Sequence, residues 1–136
     1  MVKQLFLVLA AAICIASANP TTDVNCYSGR PIKKSSVDLN VNEGHRLQQL
    51  GQTVPAGGRS RATYPHLYGG GDGLGIATDC NWPLYEFPLI RGDKPFRSGD
   101  NSGQDRVVFD TQGIYCASIT HTNAPIAGGF VRCAKA

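Results

Sequence analysis

The sequence is short of several things, and each shortage removes a class of function. It has no closely spaced Cys-x-x-Cys pair, so the common zinc frameworks are absent. The stretch "GGGDGLG" at 69–75 lacks the Lys-Ser/Thr of a phosphate loop and does not fit Gly-x-Gly-x-x-Gly, which argues against a nucleotide cofactor. No Asn-x-Ser/Thr glycosylation sequon occurs. Past the first twenty residues no segment is apolar enough to cross a bilayer. Excess positive charge is scarce too: 13 Lys and Arg stand against 10 Asp and Glu, a formal net charge of +3. That is no polybasic coat, so any phosphate must be met by a few placed cations. At 136 residues the chain has room for one domain and not two.

What is present begins with "MVKQLFLVLAAAICIASANP". Lys3 precedes an apolar run from Leu5 to Ile15, and Ala16-Ser17-Ala18 offers small residues for cleavage. The pattern predicts a secretory signal peptide over residues 1–18, cleaved after Ala18, and a single secreted domain over 19–136 with no membrane partner. Without Lys3 the balance is 12 basic to 10 acidic residues, or +2. Of five cysteines, Cys14 leaves with the leader. Cys26, Cys80, Cys116 and Cys133 remain, and an even number in a small secreted domain predicts two disulfides. Four cysteines allow three connectivities. A Cys26 to Cys133 bridge would close a very long loop, worth about 4–5 kcal/mol in the chain-entropy model.

Residues 19–35 predict an irregular or hairpin lead-in, broken by Gly29 and Pro31. "SVDLNVNEGHRLQQL", Ser36 to Leu50, predicts a helix: Ser36 is placed to cap it, Val37, Val41 and Leu47 recur at helical spacing, and Leu50-Gly51 marks the stop. Asn and Gly inside it weaken the pattern. Residues 51–63 read as a loop. Short strand-like runs follow, "ATYPHLY", "LYEFPLI", "RVVFD", "IYCASITH" and "GFVRCA", separated by turn-forming clusters. One helix followed by about five antiparallel strands is an α+β plan.

Alternation predicts which side chains share a face. In "LYEFPLI", Tyr85, Phe87 and Leu89 are expected to pack on the helix, leaving Leu84, Glu86 and Pro88 on an open face. Val107 and Phe109 pack while Arg106 faces outward; Val131 and Cys133 point in while Phe130 and Arg132 point out. His121 fits less well, because it shares a side with Ile119, although a strand end or bulge can re-aim it. The open face then offers Tyr64, His66, Glu86, Arg106, His121 and Phe130. A carboxylate and two histidines exchange protons near neutral pH. An arginine presents a planar fork suited to phosphate. No metal-ligand set and no enzyme nucleophile stand out. RNA fits such a face because it brings its own nucleophile, the 2′-hydroxyl.

"TYPHLY", "YEFPLI", "DRVVF", "ITHT" and "GGFVRC" occur in the order and spacing of the secreted fungal guanyl-preferring ribonucleases, the ribonuclease T-one family, and the chain resembles that family over most of residues 26–133. Ribotoxins of the alpha-sarcin type are relatives. The resemblance implies one α-helix packed on a curved antiparallel β-sheet and a monomer acting on single-stranded RNA without cofactor or metal. It implies Glu86 as the base, His121 as the general acid, and His66 as assistant to the base. It also implies Tyr64 and Arg106 as phosphate contacts, Phe130 as an aromatic beside the phosphate, and disulfides Cys26–Cys133 and Cys80–Cys116. The base-binding set it implies is Tyr68, Gly69, Gly70, Gly71, Asp72 and Gly128. Here the sequence departs from guanine-specific relatives: Asp72 is a methylene shorter than their glutamate, and no tyrosine lid covers the base. Guanine or purine preference is expected to be weaker than in strict relatives.

Two other functions compete. A ribotoxin aimed at ribosomal RNA of a target cell would normally carry long lysine-rich loops, and only five residues separate Cys80 from Glu86. A non-catalytic RNA-binding protein should have lost part of the catalytic set, which is complete here. His45 reads as structural, and the Arg-Gly-Asp at 91–93 as a turn.

Overall fold

The computed structural model describes residues 21–70, 73–76 and 80–136. The expected leader, with Cys14, and the loop positions Gly71 and Asp72 lie outside the described residues. In chain order the elements are β1 (Val24–Asn25), α1 (Lys34–Gln49), β2 (Val54–Pro55), β3 (Thr63–Tyr64), β4 (His66–Leu67), β5 (Leu84–Pro88), β6 (Asp105–Asp110), β7 (Tyr115–Thr120), β8 (Val131–Arg132) and β9 (Ala134–Lys135). Strands β4 to β8 form one antiparallel sheet in sequence order, and α1 packs across β5 and β6. Two small sheets flank it, β1 with β9 and β2 with β3. The expected α+β plan and both disulfides, Cys26–Cys133 and Cys80–Cys116, are present.

The helix begins two residues earlier than Ser36, and Ser36 is not its cap. Asp23 Oδ1, from just ahead of β1, accepts the Lys34 N–H at 2.8 Å and places a carboxylate at the positive end of the helix dipole. Ser36 turns inward and donates its hydroxyl to the Gly92 carbonyl at 2.9 Å. The stop is where the sequence placed it: Gly51 takes a positive φ of 64°, its N–H reaches Gln48 O, and the Gln52 N–H returns to Leu47 O. The Asn and Gly that weakened the pattern both serve packing. Asn40, fully buried, donates to Ser36 O and Ile90 O and accepts from the Phe96 N–H, which fixes the 90–96 segment to the helix. Gly44 lets the helix close on the sheet: a Cβ there would lie 2.8 Å from Phe109 Cε1 and 2.9 Å from Phe87 Cβ. Gly44→Ala is therefore expected to lower stability by a net ~1–2 kcal/mol, because overpacking outweighs the gain in helix propensity. Urea unfolding measures it, and an unchanged or raised midpoint would contradict the contact.

Two expectations about strands need correction. "ATYPHLY" is not one strand. Pro65 has no N–H to give a ladder, and the run divides there: Tyr64 pairs with Val54 in the small sheet and His66 with Glu86 in the large one. Residues 51–63 accordingly contain a strand, β2. The face opposite the helix is not simply open either. Val37, Val41, Leu47, Phe87, Leu89, Phe96, Val107 and Phe109 form the helix-side core, while Leu84, Val108, Ala117, Ile119, Tyr68 and Ile76 form a second cluster on the other face around Cys80–Cys116. A bulge makes the second bridge possible. The pairing of β6 with β7 slips between Val108 and Phe109, so Cys116 joins Ala117 on that face. The ambiguity over His121 disappears with this: Ile119 belongs to the second cluster, so a side chain sharing its parity faces the same way as Glu86.

The Arg-Gly-Asp at 91–93 is a structural turn. Arg91 Nη1 donates to Pro31 O at 2.6 Å, and Nη2 donates to Ser28 Oγ at 3.0 Å and to Arg30 O, stapling this turn to the lead-in. His45 sits against Gly113 with Nε2 3.2 Å from Thr111 O, a packing role as expected.

Candidate active site

Strand register assembles the site. His66, Glu86, Val108 and Ala117 form one row across β4 to β7; Arg106 and Ile119 lie two residues along it. His121 follows directly after β7 on the same parity, with Phe130 opposite it ahead of β8. The polar residues therefore run diagonally over the second cluster, which supplies a dry floor.

The first group is tightly connected. His66 Nε2 lies 2.7 Å from Glu86 Oε1, and His66 Nδ1 lies 2.7 Å from the Thr63 carbonyl. A carbonyl only accepts, so Nδ1 carries a proton; with Glu86 ionised, Nε2 carries one as well. The Glu86 hydrogen bond is the main reason the His66 pKa rises above the usual histidine value, burial opposing it and the Thr63 bond adding to it. Tyr64 stacks on His66 with ring centroids 4.7 Å apart. The Arg106 guanidinium sits 5.2 Å over the Tyr64 ring, and its Nη2 donates to Tyr64 Oη at 3.0 Å. Arg106 Nη1 is held by the carbonyls of Ser102, Gly103 and Asp105 at 2.8–2.9 Å. The side chain is anchored at both Nη atoms, yet among the described residues its buried Nε has no acceptor.

The second group is His121 with Phe130, stacked at 4.0 Å between centroids. His121 Nδ1 donates to Gly129 O at 2.7 Å, which turns Nε2 to the outside. Asp105 stands near both groups. Burial raises its carboxyl pKa, while Thr120 and the charges of Arg91, Arg106 and His121 oppose the rise.

Five of the six residues read from sequence as catalytic thus lie along one face of the large sheet, as two clusters; Tyr64, in the small β2–β3 sheet and part of the helix-side core, joins the first through its ring on His66 and its hydroxyl on Arg106. The base-binding set is less uniform. Tyr68 lies in the second cluster and Gly69 stands clear of neighbours. Gly70 runs against Trp82, and Gly128 is exposed, one residue before the carbonyl that holds His121. Sequence reasoning missed Thr63, Gly129 and Trp82. The first two act through backbone carbonyls, which carry no side-chain signal. Trp82 had one: it is the sole tryptophan of the chain, set just ahead of the strand bearing Glu86. Among the described residues no group of three or more His, Cys, Asp or Glu gathers that could hold a metal ion.

A face with a carboxylate–imidazole pair at one end, a second imidazole at the other and a fixed guanidinium near the first can move protons on both sides of a phosphate. With a helix on the reverse of the antiparallel sheet, the arrangement suits acid–base chemistry on RNA, which carries its own nucleophile. Comparison with known proteins agrees. A family model described as ribonuclease matches residues 19–134. The chain is 35% identical to a guanyl-specific ribonuclease of Aspergillus pallidus over 113 residues, covering 83% of this chain and 95% of that one. It is 39% identical to an extracellular guanyl-specific ribonuclease of Gibberella baccata over 105 residues, 77% and 90% of the two chains. A ribonuclease structure from Hericium erinaceus superposes with a TM-score of 0.53 at 29% identity, covering 82% and 97%. The chain belongs to the ribonuclease family, and it is an RNA-cleaving enzyme.

Proposed function

We propose that the protein is a secreted endoribonuclease that cleaves single-stranded RNA 3′ of guanosine by transesterification. Glu86 takes the proton of the ribose 2′-hydroxyl while the His66 imidazolium holds the carboxylate in place. The 2′-oxygen attacks the adjacent phosphorus, the P–O5′ bond breaks, and His121 Nε2 gives its proton to the departing 5′-oxygen. The product is a 2′,3′-cyclic phosphate, which water opens with the two roles reversed. The Arg106 guanidinium and the Tyr64 hydroxyl stabilise the phosphoryl oxygens as charge builds on them. Phe130 packs beside the reacting phosphate and fixes the His121 ring. The observation that carries this reading is the 2.7 Å contact between His66 Nε2 and Glu86 Oε1 on the face that also bears His121.

Guanine preference draws support from the guanyl-specific ribonucleases to which the chain is similar. Backbone amides of Gly69 to Gly71 would meet the O6 and N7 edge, and the Asp72 carboxylate the N1 and N2 edge. Export with loss of residues 1–18 is supported by a family match that begins at residue 19. All groups of the mechanism come from one chain, so a single copy would suffice for it.

The test is turnover of GpC, ApC, CpC and UpC in EDTA, following the cyclic phosphate. GpC is expected to turn over fastest. Equal turnover of all four would remove guanine preference, and loss of activity in EDTA would remove the metal-free mechanism. A single defined fragment from intact ribosomes, with no dinucleotide turnover, would favour a ribotoxin instead.

A further inference from the structure

The base-recognition loop has a gap that the rest of the molecule fills. Its glycines carry no side chains, and Tyr68 is only 4% exposed, so its ring has little surface left for a base. Trp82 is 49% exposed. Its indole lies nearly parallel to the Tyr68 ring, at 16° and 6.2 Å between centroids, so one face is backed by a buried aromatic. Gly70, at φ 69°, passes so close that a Cβ would lie 2.1 Å from indole Cη2. The absence of a side chain at 70 thus brings the loop backbone against the ring edge.

Register puts this pair where a base would fall. The ladder that joins His66 to Glu86 and Leu67 to Tyr85 continues with the Tyr68 N–H on Leu84 O at 2.9 Å. Two residues of strand advance about 6–7 Å. Tyr68 therefore stands on the same face as the His66–Glu86 pair, at an offset comparable with the reach from a ribose phosphate to its own base. Trp82 sits beside it, two residues ahead of Leu84.

We propose that Trp82 is the stacking surface for the base whose ribose attacks, standing where the loop lacks an aromatic lid. The inference rests on the endoribonuclease reading above and adds the residue that grips the base. Half-exposed indole, rigidly backed, is well suited to this. Stacking is available to every base, and the larger purine ring system covers more of the indole. Edge recognition stays with the loop backbone that Gly70 holds against the ring. If Trp82 served only to cover Tyr68, its loss would lower stability and leave substrate binding alone.

As the sole tryptophan, it reports on itself. Titration of the disulfide-bonded wild type with guanosine 3′-monophosphate is expected to change tryptophan emission saturably. Trp82→Ala is expected to raise KM for GpC about ten- to a hundredfold, with kcat changed by less than about threefold. Trp82→Phe should restore most of the difference. Calorimetric binding of guanosine 3′-monophosphate with unmoved emission, or a Trp82→Phe variant no better than a folded Trp82→Ala, would overturn the proposal. So would a KM for GpC that Trp82→Ala leaves unchanged. Failure of the guanine reading shows separately, as equal KM for GpC and CpC in the wild type.

Discussion

Glu86→Gln is expected to lower GpC turnover by about 10²- to 10⁴-fold, and His121→Gln by a similar factor, because in the proposed mechanism each removes one of two proton transfers. The isosteric change at Glu86 keeps a hydrogen-bonding group opposite His66 Nε2 but abolishes the carboxylate proposed to accept the proton. A loss below about tenfold in both variants would mean that proton transfer is carried by other groups. The same substitution has a second readout. The carboxylate is the main reason that the His66 pKa is raised, so in Glu86→Gln that pKa should fall, as followed by NMR titration of the imidazole. The sign for stability follows. Since the folded-state value lies above the unfolded one, this pair stabilises the fold fully at pH below the unfolded histidine value. The contribution fades as pH rises through the raised one. With the His66 side chain 40% exposed, solvent screening keeps that contribution small, and activity is the sharper measure.

The second large effect concerns Cys26–Cys133. The bridge spans 107 residues of sequence, against 36 for Cys80–Cys116. Replacing Cys26 and Cys133 together by Ser is expected to destabilise the protein by about 4–5 kcal/mol in the chain-entropy model. That is a large share of the ~5–15 kcal/mol that holds a typical domain together. Cys26 is fully buried beside Val24 and Ile32, so the loss is felt in the helix-side core as well. Urea unfolding of the double variant measures it, and a loss under ~1 kcal/mol would show that the pairing of β1 with β9 holds the ends together unaided. Removing Cys80–Cys116 carries a similar entropic term, about 4 kcal/mol, but its location differs. It ties the segment ahead of Trp82 to the bulge of β7, so its loss should also raise KM.

Much of this was legible in the residues. Glu86 stood out as the sole charge in an apolar strand-like run, and Arg106 followed from the parity of Val107 and Phe109. The helix stop at Leu50-Gly51 was written in local chemistry, and the structure has it there. What failed depended on distant partners. Ser36 looked like a cap because nothing local says that Asp23, from ahead of β1, takes the Lys34 N–H. His121 seemed misplaced because Ile119 was assigned to the helix side, when a sheet apolar on both faces buries both parities. "ATYPHLY" looked continuous because periodicity does not register the missing N–H of Pro65. Trp82 was overlooked because its half-exposure and its close approach to Gly70 depend on how the loop folds, not on local sequence.

The pairing of β1 with β9 has a further consequence. Val24 pairs with Lys135, Asn25 with Ala134, and the Ala136 N–H returns to Asp23 O at 3.0 Å, with Cys26–Cys133 locking the ladder from behind. Residues 26–133 are in effect a covalent ring. An endoprotease that nicks one exposed loop inside the ring breaks the backbone without releasing a fragment. The nicked molecule runs as one species until a reductant is added, and two cuts inside the ring, not one, are needed before it loses a piece.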